Sequence, residues 1–526
     1  MAIRCEPVDV AVVGAGFAGA AFSYRLAERA AKLRILCLER GGWVEAARMP
    51  ASTPYWQRAV LGAWATSPNL RLLAGGNPIS ADYPIDDSAS TLKPLMWNGV
   101  GGSTINWAAH LPRLHPSDFR ARTLDGVGED WPFGYADLEP YYALNDAVMG
   151  VSGLPGDPAY PPKPRRAMPP LPLGRLGMTA AKGFDRLGWH WWPVDAAINA
   201  VAHDSRPACN HCGPCLIGCA SRAKASVDQT YWPKAIAAGV ELRPHCIVQQ
   251  VVIEAGRACA LAYRGSDGRD YLQPASLIVI AGNGIGTPRL LLASGVKSHA
   301  LGRYFMFHPV AYARGLFEDE LDGPVGPVGC ALYSHEFYET DARRGFKRGL
   351  QLQMTRENAP LLQALRLEEV WGPSAQRRLR EEFRHSLPVM ITVEDLPELQ
   401  NRLELTDRSE ADGLPGVRLN YQISDVCRRM LDFGLDRAEE MLRAAGAKRV
   451  LRQTLAPLAG WHLLGTARMG SEPATSVTDG RGRCHAVANL MIVDGSLFPT
   501  AGAVNPGATI GALALKLADD LAREIG

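Results

Sequence analysis

Near its N-terminus the chain reads VDVAVVGAGFAGAAFSYRLAERAAKLRILCLER over residues 8–40. The pattern is a short β-rich run, a glycine turn, an alanine-rich helix and a second apolar run that ends in Glu39. Gly14 permits a tight turn, Gly16 lets a pyrophosphate approach the backbone, and Gly19 lets helix and strand pack closely. The helix N-terminus then offers free N–H groups and its positive dipole end to the diphosphate. We therefore expect a Rossmann-like dinucleotide-binding unit here.

The acid after the second apolar run limits which dinucleotide binds. Glu39 follows Gly19 by 20 residues, the position at which a carboxylate accepts hydrogen bonds from ribose hydroxyls. A carboxylate there would repel the 2′-phosphate of NADP, while FAD and NAD both fit the fingerprint. We assign Phe17 and Ala18, between the glycines, and Arg40, after the acid, to the same cofactor site.

Length and composition restrict the class of protein. The chain has 526 residues, too many for one compact core, so we expect two lobes or domains. Hydrophobic residues make up 47% and charged residues 21%, and the net charge of +2 gives no sign of a nucleic-acid partner. The sequence has no window typical of a transmembrane helix and no secretory signal. We predict a cytoplasmic protein, with co-export to the periplasm beside a signal-bearing partner as the alternative.

Five further motifs follow in the order NGVGGSTINW (98–107), TPRLLLASGV (287–296), HLLGTARMG (462–470), VDGS (493–496) and NPGATI (505–510). In this order and spacing they resemble the glucose–methanol–choline (GMC) oxidoreductase family, and the resemblance runs from Val8 to Ala522. Residues 99–150 resemble the flavoprotein subunits of gluconate 2-dehydrogenase and fructose dehydrogenase. The chain departs from the family where Asn283-Gly284 replaces the usual glycine and small residue.

The resemblance implies an α/β fold, α+β overall. It has a Rossmann-like FAD-binding domain and a substrate domain built on a mixed or antiparallel sheet covered by helices. We assign 1–120, 205–300 and 456–526 to the FAD-binding domain, the second with a Cys-rich loop and the third with the catalytic residues. Residues 121–204 form a substrate or cap segment with a Pro-rich loop, and 301–455 form the substrate-binding domain.

Local patterns predict several individual elements. Strands are expected near 240–253, 276–281, 349–354 and 389–393, and charged helices near 361–384 and 425–445. The proline-rich stretch 150–174 is typical of an extended surface loop. The aromatic cluster 189–192 fits packing against a domain face better than it fits the substrate entrance.

The resemblance also implies a set of cofactor-binding residues. Besides the first glycine motif, they are Gly101, Gly102, Ser103, Asn106, Trp107, Val248, Ala281, Asp494, Gly495, Pro506 and Thr509. Some relatives carry a histidine in place of Asn106 and link it covalently to the flavin. An asparagine cannot form that link, so we expect non-covalent FAD.

Two polar residues near the C-terminus are the candidate catalytic pair. Oxidising an alcohol requires a base for the hydroxyl proton and an acceptor for the hydride, and histidine has a pKa suited to the first task. His462 is the candidate base by its position in the motif, and Asn505 the candidate for holding the substrate oxygen. The helix that begins after Asn505 offers a positive dipole end where reduced flavin gains negative charge. The competing interpretation of His462 is a buried structural histidine, and a structural role is the expectation for His308.

Four of the 11 cysteines lie together at Cys209, Cys212, Cys215 and Cys219. Their spacing is that of the thiolates that bind an iron–sulfur cluster in bacterial ferredoxins, with Ala220 in place of the usual proline. Such a cluster would carry electrons from the flavin to an external acceptor. Free or structural thiols, and zinc or disulfides, remain the alternatives.

The sequence therefore predicts an FAD-dependent enzyme that oxidises a CH–OH group of a sugar, glycoside or other alcohol. Electrons pass to an acceptor other than oxygen, with an electron-carrier protein or a small subunit as a partner. One rival is an oxidase that uses oxygen and releases hydrogen peroxide. A rival of another class is a non-redox flavin-binding protein or a lyase.

Overall fold

The computed structural model describes residues 2–50, 56–327, 329–356 and 372–525. Its helices are α1 (Phe17–Arg29), α2 (Trp56–Val60), α3 (Pro68–Leu73), α4 (Ala121–Asp125), α5 (Tyr135–Met149), α6 (Gly174–Leu187), α7 (Tyr231–Ala237), α8 (Asn283–Ala293), α9 (Pro373–Phe383), α10 (Asp425–Ala445) and α11 (Gly507–Ile525). Its strands are β1 (Ile3–Arg4), β2 (Val8–Val13), β3 (Ile35–Leu38), β4 (Ile85–Asp86), β5 (Trp192–Pro193), β6 (Glu241–Arg243), β7 (Ile247–Glu254), β8 (Arg257–Arg264), β9 (Asp270–Ile280), β10 (Val310–Leu316), β11 (Cys330–Ser334), β12 (Leu350–Thr355), β13 (Ser386–Val393), β14 (Arg402–Ser409), β15 (Pro415–Asn420), β16 (Arg449–Gln453) and β17 (Leu490–Ile492).

The first sheet contains the N-terminal glycine motif. Strands β6, β3, β2 and β9 lie side by side in parallel, and β17 also pairs with β9 in parallel. Strands β7, β8 and β9 extend the sheet as an antiparallel meander. β3 is buried along its whole length, as strands covered on both faces of a parallel sheet are. The predicted Rossmann-like part of the fold is confirmed.

The second sheet is antiparallel, in the order β16-β10-β13-β12-β11-β5. Side chains alternate between its two faces. On one face, Leu350, Leu352 and Met354 of β12 join a core with α6 and α10. On the other face, Gln353 and Thr355 line a cleft. The predicted helix-covered sheet is therefore confirmed.

A third, three-stranded sheet joins distant parts of the chain. β14 and β15 form a hairpin, and β4 pairs with β15 in parallel. A segment near residue 85 thereby pairs with residues 402–420, which the sequence analysis assigned to another domain. The domain boundaries remain a proposal. They are least clear at β4, which pairs with a strand of the other assigned domain.

The individual helix and strand predictions are mostly confirmed. α10 spans the predicted 425–445, and α9 matches the end of the predicted 361–384, whose residues 361–371 lie outside the described residues. The predicted surface loop at 150–174 is wrong in part, because Asp157, Tyr160 and Arg166 of this irregular stretch are buried. In the described ranges, no helix is both long and apolar enough to cross a membrane.

Candidate active site

One deep cleft of about 460 Å³ lies between the first and second sheets. Its volume falls in the range of about 300–1,000 Å³ that is usual for ligand pockets. Many of the residues assigned from sequence to the cofactor or to catalysis line it: Gly14, Gly16, Phe17, Ala18, Glu39, Arg40, Gly102, Ser103, Asn106, Trp107, Val248, Ala281, Asp494, Gly495, Pro506, His462 and Asn505. The structure thus brings together residues that are up to several hundred positions apart in the chain.

Three assigned residues do not line the cleft. Gly19 packs α1 onto the turn, since a Cβ there would lie 2.0 Å from the Gly14 oxygen. Gly101 has φ +102°, and its N–H donates to the Ala15 oxygen at 3.0 Å. Thr509 lies behind the start of α11, where its hydroxyl bonds the Tyr142 hydroxyl at 2.8 Å. Gly19 and Gly101 shape the cleft from behind, while Thr509 supports α11.

The glycine turn leaves no room for a side chain at its first position. Gly14 has φ +105°, and a Cβ there would lie 2.5 Å from the Ala281 oxygen. At Gly16, by contrast, the nearest atom to such a Cβ is 3.7 Å away, at the Gly102 Cα. The turn therefore places bare backbone against the cleft at the N-terminus of α1, where unpaired N–H groups and the helix dipole favour an anion.

Glu39 is buried at the end of β3 and is held by the backbone. One carboxylate oxygen accepts from the Ala15 N–H at 2.7 Å, and the other accepts from the Gly41 N–H at 2.9 Å. Burial raises the pKa of Glu39, and these backbone donors oppose that rise. Each oxygen keeps a further lone pair, so the carboxylate can still accept from a ligand hydroxyl.

The sequence assigned Arg40 to cofactor binding, but protein groups already occupy much of its guanidinium. Its guanidinium donates to the Ala81 oxygen and to Asp412, both at 2.8 Å. Arg289 also bonds Asp412, and the two guanidinium groups lie 4.5 and 4.1 Å from the Tyr83 ring centroid. The arginines therefore form a fixed part of the wall.

The Gly-rich loop after residue 98 forms another wall. The Trp107 indole N–H donates to the Ala225 oxygen at 2.9 Å, and its ring meets Phe17 edge-on at 5.6 Å between centroids. Asn106 is buried and lines the cleft, and its amide nitrogen has no hydrogen-bond partner within the described protein. A buried amide without a partner is costly, which indicates that a bound group completes this wall.

His462 lies at the opposite part of the cleft and contacts a second, fully buried histidine. Its Nδ1 lies 2.9 Å from Nδ1 of His308, and Nε2 of His308 lies 2.7 Å from the Gly502 carbonyl oxygen. A carbonyl only accepts, so Nε2 of His308 carries the proton and its Nδ1 is bare. Nδ1 of neutral His462 must then donate to His308, which leaves Nε2 of His462 as an acceptor.

Both histidines are neutral in this arrangement. Burial lowers the pKa of His308 to about 4. Burial, and then the neighbouring His308 and His110, hold the pKa of His462 well below its ordinary value of about 6.5. His308 does not line the cleft, as expected for a structural residue, but it determines which nitrogen of His462 carries the proton.

Asn505 is held by a glutamine of the second sheet. The Gln353 amide nitrogen donates to the Asn505 amide oxygen at 3.2 Å and to the Thr392 hydroxyl at 3.1 Å. The Gln353 amide oxygen bonds Nδ1 of His110 at 3.1 Å. With its oxygen engaged, the Asn505 amide presents its nitrogen as a donor. The two candidate catalytic side chains thus offer one acceptor and one donor.

The loop before Asn505 is held in place by Leu114, Tyr338 and Asp118. Gly502 has φ +65°, and a Cβ there would lie 2.4 Å from Leu114. The Ala503 N–H donates to the Tyr338 hydroxyl at 3.1 Å, and that hydroxyl donates to Asp118 at 2.7 Å. The carbonyl that orients His308 and the start of α11 therefore have fixed positions.

Comparison with known proteins identifies the molecule. Models of the GMC oxidoreductase family match residues 181–310 and 397–514. A 2-methyl-1,2-propanediol dehydrogenase from Mycolicibacterium austroafricanum is 37% identical over 99% of this chain and 96% of its own. The chain belongs to the GMC oxidoreductase family.

Two other likenesses agree with this assignment. The fructose dehydrogenase large subunit of Gluconobacter japonicus is 28% identical over 98% of both chains, in line with the resemblance seen in the sequence. The solved pyridoxine 4-oxidase from Mesorbium loti has the same fold, with a TM-score of 0.65, 18% identity and coverage of 98% of this chain and 99% of its own. The protein is therefore an oxidoreductase of a family that acts on CH–OH groups of alcohols and sugars. Membership of the family implies a flavin cofactor.

The predicted metal centre receives no support. Among the described residues, no group of three or more His, Cys, Asp or Glu side chains could hold a metal ion. The four thiols of the Cys loop do not line the cleft, although Pro214, Leu216 and Ile217 between them do. The buried Lys224 ammonium ties the loop to the wall that contains Asn106, through the carbonyl oxygens of Cys215, Ile105 and Trp107. The loop is therefore part of the wall of the cleft.

Sequence reasoning missed the two polar residues that hold Asn505: Gln353 bonds it directly, and His110 bonds Gln353. His110 follows Asn106 by four positions, and Gln353 lies in a strand in which glutamines alternate with leucines. That alternation signals a polar face opposite an apolar one and could have indicated Gln353. The aromatic cluster 189–192 does not line the cleft, and its Trp189 packs against Phe337.

Proposed function

We propose that the protein is an FAD-dependent dehydrogenase that oxidises a CH–OH group of a small polyol, sugar or other alcohol. Electrons then pass to an acceptor other than oxygen. The observation that carries the proposal is the pairing, at one end of the cleft, of an acceptor on His462 with a donor on Asn505. The diol and sugar dehydrogenases among the relatives support the substrate class.

The cleft fits FAD on three grounds. The Gly14 turn and the α1 N-terminus suit a diphosphate, and Glu39 keeps lone pairs for ribose hydroxyls. The Asn106 amide nitrogen, which has no partner within the described protein, fits a polar group bound at that wall of the cleft. Because an asparagine forms no covalent bond to a flavin, we propose that the cofactor is dissociable.

His462 is proposed as the base that takes the hydroxyl proton. Its Nε2 has no proton in the tautomer that His308 enforces, so a substrate hydroxyl can donate to it directly. As Nε2 becomes protonated, Nδ1 keeps its hydrogen bond to His308, which stabilises the resulting cation. FAD, when bound, supplies the hydride acceptor for the carbinol carbon.

Asn505 and α11 are proposed to orient and polarise the same region. The Asn505 amide donates to the substrate oxygen and holds the O–H towards His462. α11 begins at Gly507, which lines the cleft, so its positive dipole end favours negative charge there. Both groups act without moving, because the loop that carries them is clamped.

The test is an anaerobic absorbance titration of the purified protein with a panel of alcohols, diols and sugars. We expect flavin absorbance that bleaches with at least one member of the panel. Because His462 is neutral well below its ordinary pKa, the bleaching rate should not fall between pH 8 and pH 6. A bound flavin that no alcohol bleaches would contradict the proposal and favour a non-redox flavoprotein or lyase.

The same samples separate a dehydrogenase from an oxidase. On admitting air, we expect reduced flavin to persist and to reoxidise rapidly only with a quinone or dye. Stoichiometric hydrogen peroxide during turnover would instead identify an oxidase. Either result leaves the assignment of His462 and Asn505 to be tested separately.

A further inference from the structure

We propose that Gln353 is a positioning residue that fixes the polarity of the substrate site, by forcing the Asn505 amide to present its nitrogen to the substrate oxygen. This inference rests on the proposed function. It adds a residue of the second sheet, in a strand that lies outside the residues matched by the family models. Its chemistry is that of one amide held by three partners.

The orientation of Gln353 follows from its neighbours. Its amide oxygen lies 3.1 Å from Nδ1 of His110, and its amide nitrogen donates to Thr392 and to Asn505. Gln353 is 2% exposed, so water does not offer an alternative partner. The His110 tautomer with its proton on Nδ1 donates to the Gln353 amide oxygen, so the amide nitrogen faces Thr392 and Asn505, and this orientation is passed on to Asn505.

The consequence for the substrate follows from counting hydrogens. A hydroxyl has one proton, and His462 takes it through Nε2. If Asn505 were turned, its oxygen would also seek that proton, and two acceptors would face one donor. The substrate oxygen would then lack a donor as it gains negative charge. Gln353 therefore makes the two candidate catalytic groups complementary.

Replacing Gln353 by glutamate keeps the size and shape of the side chain but reverses which end of the Asn505 amide faces the substrate. An ionised carboxylate only accepts, so in Gln353→Glu the Asn505 nitrogen turns towards it and the Asn505 oxygen faces the substrate. A protonated carboxyl has an O–H donor and restores the original orientation. The variant should therefore be impaired at high pH and should recover as the pH falls through the pKa of the new carboxyl.

The titration can be assigned to the new carboxyl. The titratable groups that pair with Gln353 among the described residues include His110 and Tyr333, and His462 lies near His110; each is neutral from pH 5 to pH 8. Burial lowers the pKa of His110 to about 4, and the pKa of His462 is also lowered. Tyr333, paired with Gln353 across the sheet, has its pKa raised by burial. Burial raises the pKa of a carboxyl at this position, so recovery is expected as the pH falls towards 5.

The chain provides a matched control in Gln351. It is buried on the same face of β12, two residues away, but it bonds His335 and does not line the cleft. Gln351→Glu buries the same carboxyl in the same strand. Losses that come from strain or buried charge alone should therefore appear equally in Gln351→Glu.

The experiment measures the anaerobic rate of flavin bleaching by the best alcohol, from pH 5 to pH 8.5, in the FAD-loaded wild type and both variants. At pH 8.5 we expect Gln353→Glu to be slower by at least about tenfold, since losing one preorganised donor costs on the order of 10²–10³ in rate. It should recover most of this loss by pH 5.5, whereas Gln351→Glu should follow the wild type in pH dependence. A folded, FAD-loaded Gln353→Glu that tracks Gln351→Glu, or never recovers at low pH, would overturn the inference.

A binding measurement separates this inference from the proposed function. 2-Methylpropan-2-ol has no hydrogen on its carbinol carbon, so it binds without being oxidised, and its binding is followed by perturbation of the flavin absorbance. Gln353→Glu should bind it more weakly at pH 8.5 than at pH 5.5, with no such difference in the wild type. This difference in binding is expected even if no alcohol bleaches the flavin. Equal binding by Gln353→Glu at both pH values would overturn the inference. If Gln353→Glu does not fold, Gln353→Met should lose about tenfold in rate at every pH, and an unchanged rate would contradict the assignment.

Discussion

The two ends of the cleft are held by opposite kinds of contact. At the glycine end, formed by residues 14–19 and Glu39, backbone N–H groups hold the Glu39 carboxylate, and the turn has no room for side chains at Gly14 and Gly19. At the histidine end, formed by His462 and Asn505, each functional side chain is held by one buried neutral side chain. The glycine end should therefore be sensitive to added atoms, and the histidine end to changed polarity.

The largest expected effect tests the histidine end. His462→Gln removes the proposed base, so the anaerobic bleaching rate should fall by about 10²–10⁴-fold, the usual contribution of general base catalysis. The amount of bound FAD should not change, because the glycine end is untouched. The rate is measured by stopped-flow absorbance at saturating alcohol.

His485 provides the control for this substitution. It lies in the same C-terminal segment, bonds Ser476 and the Gly470 oxygen, and does not line the cleft. His485→Gln should keep the wild-type rate. Equal losses of bleaching rate in His462→Gln and His485→Gln would contradict the role of His462. Release of FAD from His462→Gln would show that the histidine end also holds the cofactor.

An intermediate effect is expected at the glycine end. Gly14→Ala puts a Cβ 2.5 Å from the Ala281 oxygen at φ +105°, so the free energy of unfolding should fall by about 2 kcal/mol or more. Gly16→Ala is the matched control, since its Cβ would meet nothing closer than 3.7 Å. Denaturant unfolding of the cofactor-free protein measures both.

The two alanine variants should differ in a second way. Gly16→Ala should retain the stability of the wild type yet bind FAD more weakly, because its methyl group occupies the space that a pyrophosphate approaches. Equal destabilisation by Gly14→Ala and Gly16→Ala would show that lack of room for a Cβ is not what requires glycine at position 14.

The difference between the ends also explains what the sequence could predict. The glycine end is a contiguous strand, turn and helix, so residues 8–40 suffice to predict it. His462 and Asn505 were found only because their motifs resemble a family. His110 and Gln353 come from separate parts of the chain and meet through tertiary packing, which local patterns do not encode. The thiol spacing at 209–219 leaves an iron–sulfur cluster, free or structural thiols, and zinc or disulfides as alternatives, because spacing alone does not fix where side chains point.

The smallest expected effect concerns how the histidine end is kept neutral. Asp395 is buried beneath it and accepts from the Phe307 N–H at 3.0 Å, next to His308, and from the Tyr421 hydroxyl at 2.8 Å. Burial raises the pKa of Asp395 to about 7. In the unfolded chain an aspartate loses its proton near pH 4. Its contribution to stability is therefore complete below about pH 4 and is lost as the pH rises to about 7.

Asp395→Asn removes this titration and keeps an acceptor for Phe307. The variant should gain on the wild type in free energy of unfolding as the pH rises from 4 to 7, with no further change above pH 8. Urea unfolding across this range measures the difference, and Asp407→Asn, at an exposed carboxylate, is the control that should give a flat difference. If Asp395→Asn also gave a flat difference, the carboxyl would titrate alike in both states. Burial beside Phe307 and Tyr421 would then not be what keeps this carboxyl protonated below pH 7.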